Sequence, residues 1–117
     1  MPNSIILGTG AYAPKRVLTN SDLEKLVATN GEWIVSRTGI QERRIAADDE
    51  ATSDLAAAAA RQALDFAQID PEEIDMIIVA TVTGDTPTPA CAAYVQAKLD
   101  RKSTRLNSSH VALSRMP

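Results

Sequence analysis

Two kinds of hydrophobic pattern alternate along the first 99 residues and predict a layered α/β fold. Short, almost wholly apolar runs occur at Ile5–Leu7 and Met76–Thr83; such runs are typical of buried strands, and the second is predicted to be covered on both faces. Elsewhere, apolar positions recur at the helical spacing of three and four residues. The order strand, helices, strand, helix is typical of an α/β layered unit.

Two short helices are predicted between residues 19 and 39. Thr19, Asn20 and Ser21 are candidates to cap the first helix, and Ser21 with Glu24 has the spacing of a capping box. Asn30 is suited to cap the second helix. Gly39 is placed to end that helix in the left-handed conformation. The charged residues 41–50 are expected to be irregular.

A longer, alanine-rich helix is the clearest element of the sequence. Thr52 or Ser53 is expected to cap it, and the pattern continues to Ala67. Alanine favours helix but buries little area, so this helix is suited to close packing on a neighbouring element. Pro71–Glu73 predicts a turn, and Pro89 a last helix.

The composition indicates one soluble α/β domain at most. The chain has 117 residues, of which 44% are hydrophobic and 23% charged, with a net charge of −3. No apolar run approaches the roughly 18 residues of a membrane span, and the N-terminus lacks the pattern of a secretory signal. We therefore expect a cytoplasmic protein, and the absence of a basic stripe predicts binding to neither nucleic acid nor membrane.

The last 18 residues differ in composition from the rest of the chain. They contain four Lys and Arg residues and one Asp, whereas the first 99 residues contain eight Lys and Arg and fourteen Asp and Glu. Residues 100–110 read DRKSTRLNSSH, which matches the translation of a common sequencing adapter, and SRMP at residues 114–117 fits the adapter farther on. We interpret residues 100–117 as an artefactual, disordered tail, so the domain comprises residues 1–99.

A glycine pair near the N-terminus raises the question of nucleotide binding. Gly8, Gly10 and Ala13 fit G-x-G-x-x-A after a strand, the dinucleotide fingerprint. Pro14 follows at once, however, and no helical pattern begins before Thr19. The sequence therefore favours a plain strand exit.

Cys91 is the only cysteine, which excludes a disulfide framework and a cysteine-clustered metal site. It falls on the apolar stripe of the last predicted helix, and the only histidine, His110, lies in the tail. A buried, inert cysteine is the interpretation that this pattern favours. We assign no catalytic residue, metal site or cofactor from the sequence.

Trp33 and Arg37 are the strongest binding candidates. Their i, i+4 spacing places them on one face of the second short helix. An indole can stack on a flat base, and a guanidinium can hold a phosphate. The alternative is that Trp33 fills the core, which is the more common situation for tryptophan.

The segment Glu32–Arg43 reads E-W-I-x-x-R-T-G-I-x-x-R and closely resembles the N-terminal region of β-ketoacyl-acyl carrier protein synthase III. The resemblance extends over residues 1–99. It implies part of a thiolase fold, which has two similar α/β halves, and a homodimer when full length. It also implies condensation of an acyl-CoA, typically acetyl-CoA, with malonyl-acyl carrier protein, releasing CO2 to start fatty acid synthesis.

The resemblance also implies roles for four residues. Trp33 matches the tryptophan that stacks on the CoA adenine, and Arg37 matches an arginine at the nucleotide end of CoA. Thr29 and Thr38 match threonines near the same ligand.

The family's catalytic cysteine, histidine and asparagine have no counterparts among residues 1–99, and Cys91 matches an ordinary helix position. We therefore expect an inactive N-terminal fragment of the synthase. Two alternatives remain: a non-catalytic CoA- or nucleotide-binding α/β module that is complete at this length, and an interaction protein that uses its acidic face.

Overall fold

A computed structural model of the protein describes residues 3–99. They form two compact units, which are described separately. The first, here the α1–α2 unit, comprises residues 13–49. The second, here the α3–α4 unit, comprises residues 3–12 and 50–99. The elements in chain order are β1 (Arg16–Thr19), α1 (Asn20–Glu24), α2 (Gly31–Thr38), β2 (Glu42–Ile45), α3 (Thr52–Ala67), a 3₁₀ helix (Pro71–Glu73) and α4 (Cys91–Lys98).

A two-stranded antiparallel ladder forms the base of the α1–α2 unit. β1 pairs with β2 in the register Arg16 to Ile45 and Thr19 to Glu42. The expectation that residues 41–50 are irregular is therefore wrong for β2. Its charged sequence has no apolar alternation, and it is the backbone pairing with β1 that makes it a strand.

The first helix begins where β1 ends, and its cap is Thr19, one of the three candidates predicted from the sequence. Thr19 is extended, with φ −80° and ψ 165°, as an N-cap residue must be. Its hydroxyl accepts a hydrogen bond from the Asp22 N–H at 3.2 Å, and its own N–H donates to Asp22 Oδ2 at 3.2 Å. Only the capping box of Ser21 and Glu24 is wrong, because the cap is the last residue of β1, two residues before Ser21.

Both predicted ends of α2 are confirmed. The Asn30 side chain accepts a hydrogen bond from the Trp33 N–H at 2.8 Å. At the other end, Gly39 has φ 72° and donates its N–H to the Val35 carbonyl at 2.8 Å. Because a residue with a side chain is strained in that conformation, glycine suits this position.

The α3–α4 unit is held by packing between its two helices. Its buried residues are Ala57, Cys91, Val95 and Leu99, and the alanine face of α3 together with Ile77 and Val79 packs against them. The prediction that alanine serves close packing on a neighbouring element is thus confirmed.

The N-terminus of α3 is not capped by Thr52 or Ser53. The N-cap residue is Ala51, whose N–H donates to Asp54 Oδ2 at 2.9 Å. Thr52 Oγ1 instead donates to the Thr83 carbonyl at 2.6 Å, and Ser53 bonds to Asp85. The predicted caps were wrong because distant partners take both side chains.

Neither predicted strand pairs with another segment within residues 3–99. Ile5, Ile6 and Leu7 are exposed, Ile6 by 86%. In the segment 76–82 the pattern alternates: Ile77 and Val79 pack on the core, whereas Met76, Ile78 and Val82 are exposed. The prediction of burial on both faces is therefore wrong, and only one face of residues 76–82 is covered.

Gly8 and Gly10 let the chain pass close to α3. A Cβ atom on Gly10 would lie 2.2 Å from the Ala59 carbonyl oxygen, and one on Gly8 would lie 2.6 Å from that of Ala63. No helix begins before Asn20, so the helix N-terminus that the dinucleotide fingerprint needs is absent from this stretch. The two glycines serve packing.

Candidate functional site

The exposed face of α2 carries the candidate site. Trp33 is 57% exposed and Arg37 is exposed one turn farther along, whereas Ile34 between them is buried at 7% exposure. The expectation that Trp33 fills the core is thus wrong. An indole and a guanidinium on one solvent-facing stripe are available to the same ligand.

The orientation of α2 is fixed at its N-terminus by polar contacts. The Asn30 cap occupies the Trp33 N–H, and the Glu24 carboxylate at the end of α1 accepts a hydrogen bond from the Gly31 N–H. These contacts use backbone donors and leave the Trp33 side chain unengaged. The indole N–H therefore has no hydrogen-bond partner within residues 3–99, and more than half of the side chain is open to a ligand.

The Arg37 guanidinium makes no ion pair or hydrogen bond within the described residues. It lies in the last turn of α2, where a cation is favoured by the helix dipole. An unpaired, exposed guanidinium is suited to bind a phosphate group through two parallel hydrogen bonds.

The two threonines lie at opposite ends of α2. Thr29 precedes the N-cap, is half-buried, and donates its N–H to the Val27 carbonyl at 2.9 Å. Thr38 ends the helix; its hydroxyl donates to the Ile34 carbonyl at 2.7 Å and accepts from the Ile40 N–H at 3.1 Å. The helix thus brings Trp33 and Arg37 onto one face, whereas Thr29 and Thr38 flank that face.

The sequence predicted no role for two residues next to this site. Asn20 donates from Nδ2 to the Ile40 carbonyl at 2.9 Å and accepts from Arg43 Nη2 at 2.7 Å. Arg43 also donates to the Leu18 and Thr19 carbonyls at 3.5 and 3.4 Å. The second arginine of R-T-G-I-x-x-R was the available signal, although nothing in the sequence pointed to Asn20 as its partner.

A second polar cluster lies in the α3–α4 unit. The Ser53 N–H donates to Asp85 Oδ1 at 2.8 Å, and Lys98 Nζ donates to Ser53 Oγ and Asp54 Oδ1 at 2.7 and 2.6 Å. Burial acts to raise the pKa of Asp85, but the hydrogen bonds from Ser53 and the charge of Lys98 outweigh it and lower the pKa. For Asp54, the hydrogen bond from Lys98 is the main cause of a lowered pKa.

Cys91 belongs to the packed core rather than to a reactive site. Its side chain is 3% exposed and lies 3.8 Å from Asp85 Oδ1. Burial raises the pKa of the thiol, and the nearby carboxylate acts in the same direction. A buried thiol with a raised pKa is a poor nucleophile, in agreement with the predicted inert cysteine.

The described part of the chain offers no arrangement suited to a metal ion or to a membrane span. Among residues 3–99, no three His, Cys, Asp or Glu side chains are grouped so that they could hold a metal. Over the same residues, none of the helices is both long and apolar enough to cross a bilayer.

Comparison with known proteins adds the decisive observation. No protein-family model matches the chain. It is 61% identical over 99 residues to a β-ketoacyl-[acyl-carrier-protein] synthase III of Thiobacillus denitrificans, covering 85% of this chain and 31% of that protein. The chain is a homologue of β-ketoacyl-[acyl-carrier-protein] synthase III. It spans about a third of the length of the curated synthase III relatives that it matches.

Solved structures support the same relationship. The synthase III of Aquifex aeolicus VF5 superposes with a TM-score of 0.80 at 49% identity, covering 91% of this chain and 32% of that one. The priming β-ketosynthase of the R1128 polyketide pathway superposes with a TM-score of 0.78 at 38% identity, covering 83% and 29%. The predicted partial thiolase fold is thereby confirmed for this synthase III homologue.

Proposed function

We propose that the α2 face of this chain binds the nucleotide end of coenzyme A, as the N-terminal part of a β-ketoacyl-[acyl-carrier-protein] synthase III. The observation that carries the proposal is the pairing of an exposed Trp33 with an unpaired Arg37 on one helix face. The indole stacks on the adenine ring, and the guanidinium binds a phosphate of the coenzyme. Thr29 and Thr38 flank the same ligand.

The homology supports a specific reaction for the whole protein. It transfers an acyl group from an acyl-CoA such as acetyl-CoA and condenses it with malonyl-acyl carrier protein, releasing CO2 to begin fatty acid synthesis. The whole protein works as a cytoplasmic homodimer. This chain supplies one part of the coenzyme site; it contains no residue to which we assign catalysis, and it does not condense substrates by itself.

A hybrid enzyme tests the proposal. In this hybrid, residues 1–99 of the chain replace the matching residues of the Thiobacillus denitrificans relative, of which the chain covers 31%. We expect the hybrid to condense acetyl-CoA with malonyl-acyl carrier protein. A second hybrid that carries only the compact residues 13–49 keeps the test informative if the first is insoluble. Soluble hybrids that lack condensing activity would contradict the proposal.

The second candidate function is a self-sufficient coenzyme-binding module. It is favoured by the fact that all four candidate residues lie in the compact unit of residues 13–49. Trp33 is the only tryptophan of the chain, so its fluorescence reports on this site alone. If the chain is part of a synthase, the rest of the coenzyme site is supplied by the remainder of that protein, so titration of the 117-residue chain with CoA should leave this fluorescence unchanged. Saturable quenching that Arg37→Ala weakens would favour the module.

A further inference from the structure

We infer that Asn20 is a positioning residue of the coenzyme site, held in its working orientation by Arg43. The inference rests on the proposed function. Neither residue lies on the exposed face of α2, and each acts through the chain segment 39–41 that follows the end of the helix at Thr38.

Asn20 holds the chain segment that follows α2. The Asn20 side chain donates to the Ile40 carbonyl at 2.9 Å, and the Asn20 N–H donates to the Gln41 carbonyl at 3.3 Å. The Ile40 N–H donates to the Thr38 hydroxyl at 3.1 Å. Ile40 is therefore held through both its carbonyl and its N–H, and these contacts fix the turn at Gly39 and the last turn of α2, which bears Arg37 and Thr38.

Arg43 fixes the orientation of the Asn20 amide. A guanidinium has only donors, so Arg43 Nη2, at 2.7 Å, requires the amide oxygen of Asn20. This leaves the amide nitrogen for the Ile40 carbonyl. Arg43 is itself tied to the end of β1 through the Leu18 and Thr19 carbonyls. The chain of contacts thus runs from the β1 strand through Arg43 and Asn20 to the end of α2.

The substitution Asn20→Asp removes the contact with Ile40 and keeps the contact with Arg43, with little change in the size of the side chain. The carboxylate still accepts from Arg43, but it faces the Ile40 carbonyl without a proton to donate. In the hybrid, we expect the KM for acetyl-CoA to rise about tenfold with kcat within about twofold, because an unsatisfied carbonyl displaces the turn. A merely structural role would lower the melting temperature and the active fraction, and would leave the KM of the active enzyme unchanged.

Two variants of Arg43 and one of Ser21 complete the test. Arg43→Ala should raise the KM for acetyl-CoA about as much as Asn20→Asp, and Arg43→Lys should restore part of the loss because an ammonium also donates to the amide oxygen. Ser21→Ala, on the exposed neighbour of Asn20, should leave the KM unchanged. If Arg37→Ala raises the KM but Asn20→Asp does not, the positioning role is refuted. If neither variant changes it, the proposed function itself fails.

Discussion

Trp33 and Arg37 are placed by α2 so that their side chains are exposed and make no hydrogen bond or ion pair within residues 3–99. Ile34 faces inward and anchors the helix, while the Asn30 cap and the αL Gly39 fix where it begins and ends. Because these anchors use backbone groups and one apolar side chain, the exposed stripe retains its aromatic face and its positive charge. The same helix is thus rigid on one side and available to a ligand on the other.

Arg37→Gln should raise the KM of the hybrid for acetyl-CoA about tenfold at low salt, since a charge-assisted hydrogen bond to phosphate is lost. The difference from the unmodified hybrid should shrink as salt is added, because salt screens the pairing of exposed charges. The control is Lys25→Gln, which removes the same charge from an exposed side chain of the same unit. Equal KM values for the Arg37 variant and this control would show that Arg37 binds no phosphate.

At the scale of the elements, the α3–α4 unit depends on the close approach of the N-terminal chain segment to the backbone of α3. The chain at Gly8 and Gly10 passes directly over the backbone of α3, and most of the helix residues at the contact are alanines. Ser53 and Asp85 join the start of α3 to the segment that precedes α4, and Lys98 adds a contact from the end of α4. Packing and polar contacts therefore hold the same pair of helices.

Gly10→Ala should destabilise the hybrid by at least about 2 kcal/mol, because the added methyl group would meet backbone that cannot move aside without shifting α3. Gly84→Ala is the matched control: its added Cβ would lie 3.5 Å from the nearest atom, which is ordinary van der Waals contact. Urea unfolding of both variants measures the difference. Equal midpoints would show that the close contact with α3 is not required.

Asp85→Asn should lower the stability of the hybrid at neutral pH, and the loss should vanish in acid. The pKa of Asp85 is lowered in the folded protein, so its contribution is fully present above the pKa of an unfolded Asp, roughly 4, and disappears as the pH falls through the folded pKa. Unfolding measured at pH 7 and at successive steps below pH 4 tests this. The control is Asp48→Asn, at an exposed position. A constant difference over the whole range would contradict the ionic role.

Elements with local signals could be predicted from the sequence, and elements with distant partners could not. Asn30 and Gly39 act within α2 itself, so both were correct. Ser53 has the chemistry of a cap, but Asp85, 32 residues away, takes its side chain. The strand β2 has no apolar alternation, and only its pairing with β1 reveals it.

In the candidate site, too, local features could be predicted from the sequence and contacts with distant residues could not. The i, i+4 spacing of Trp33 and Arg37 was sufficient to place them on one face, because helical geometry alone determines it. Exposure of the indole depends on what packs against the helix, which is why the residue pattern pointed to a buried tryptophan. Asn20 was missed because its link to Arg43 spans 23 residues.

At the scale of the whole molecule, the α3–α4 unit exposes apolar side chains that strands usually bury. Ile5, Ile6 and Leu7 are open to solvent, as are Met76, Ile78 and Val82 along one face of the segment 76–82. Apolar surface and unpaired backbone of this kind favour association with other chains.

The 117-residue chain should therefore bind a hydrophobic dye such as ANS and should unfold without a cooperative transition when it is heated alone. The hybrid, measured under the same conditions, should bind little dye and melt cooperatively, because the relative's remaining sequence is available to cover these faces. A monomeric chain that melts in one sharp transition without binding dye would refute the expectation.

The most direct test of the coenzyme-binding role is the effect of Trp33→Ala on the kinetics of the hybrid. Stacking of a base on an aromatic ring contributes about 1–3 kcal/mol, so the KM for acetyl-CoA should rise about tenfold or more, with kcat nearly unchanged. Trp33→Phe, which keeps an aromatic face, should recover part of the loss. A KM for Trp33→Ala equal to that of the unmodified hybrid would contradict the role proposed for the α2 face.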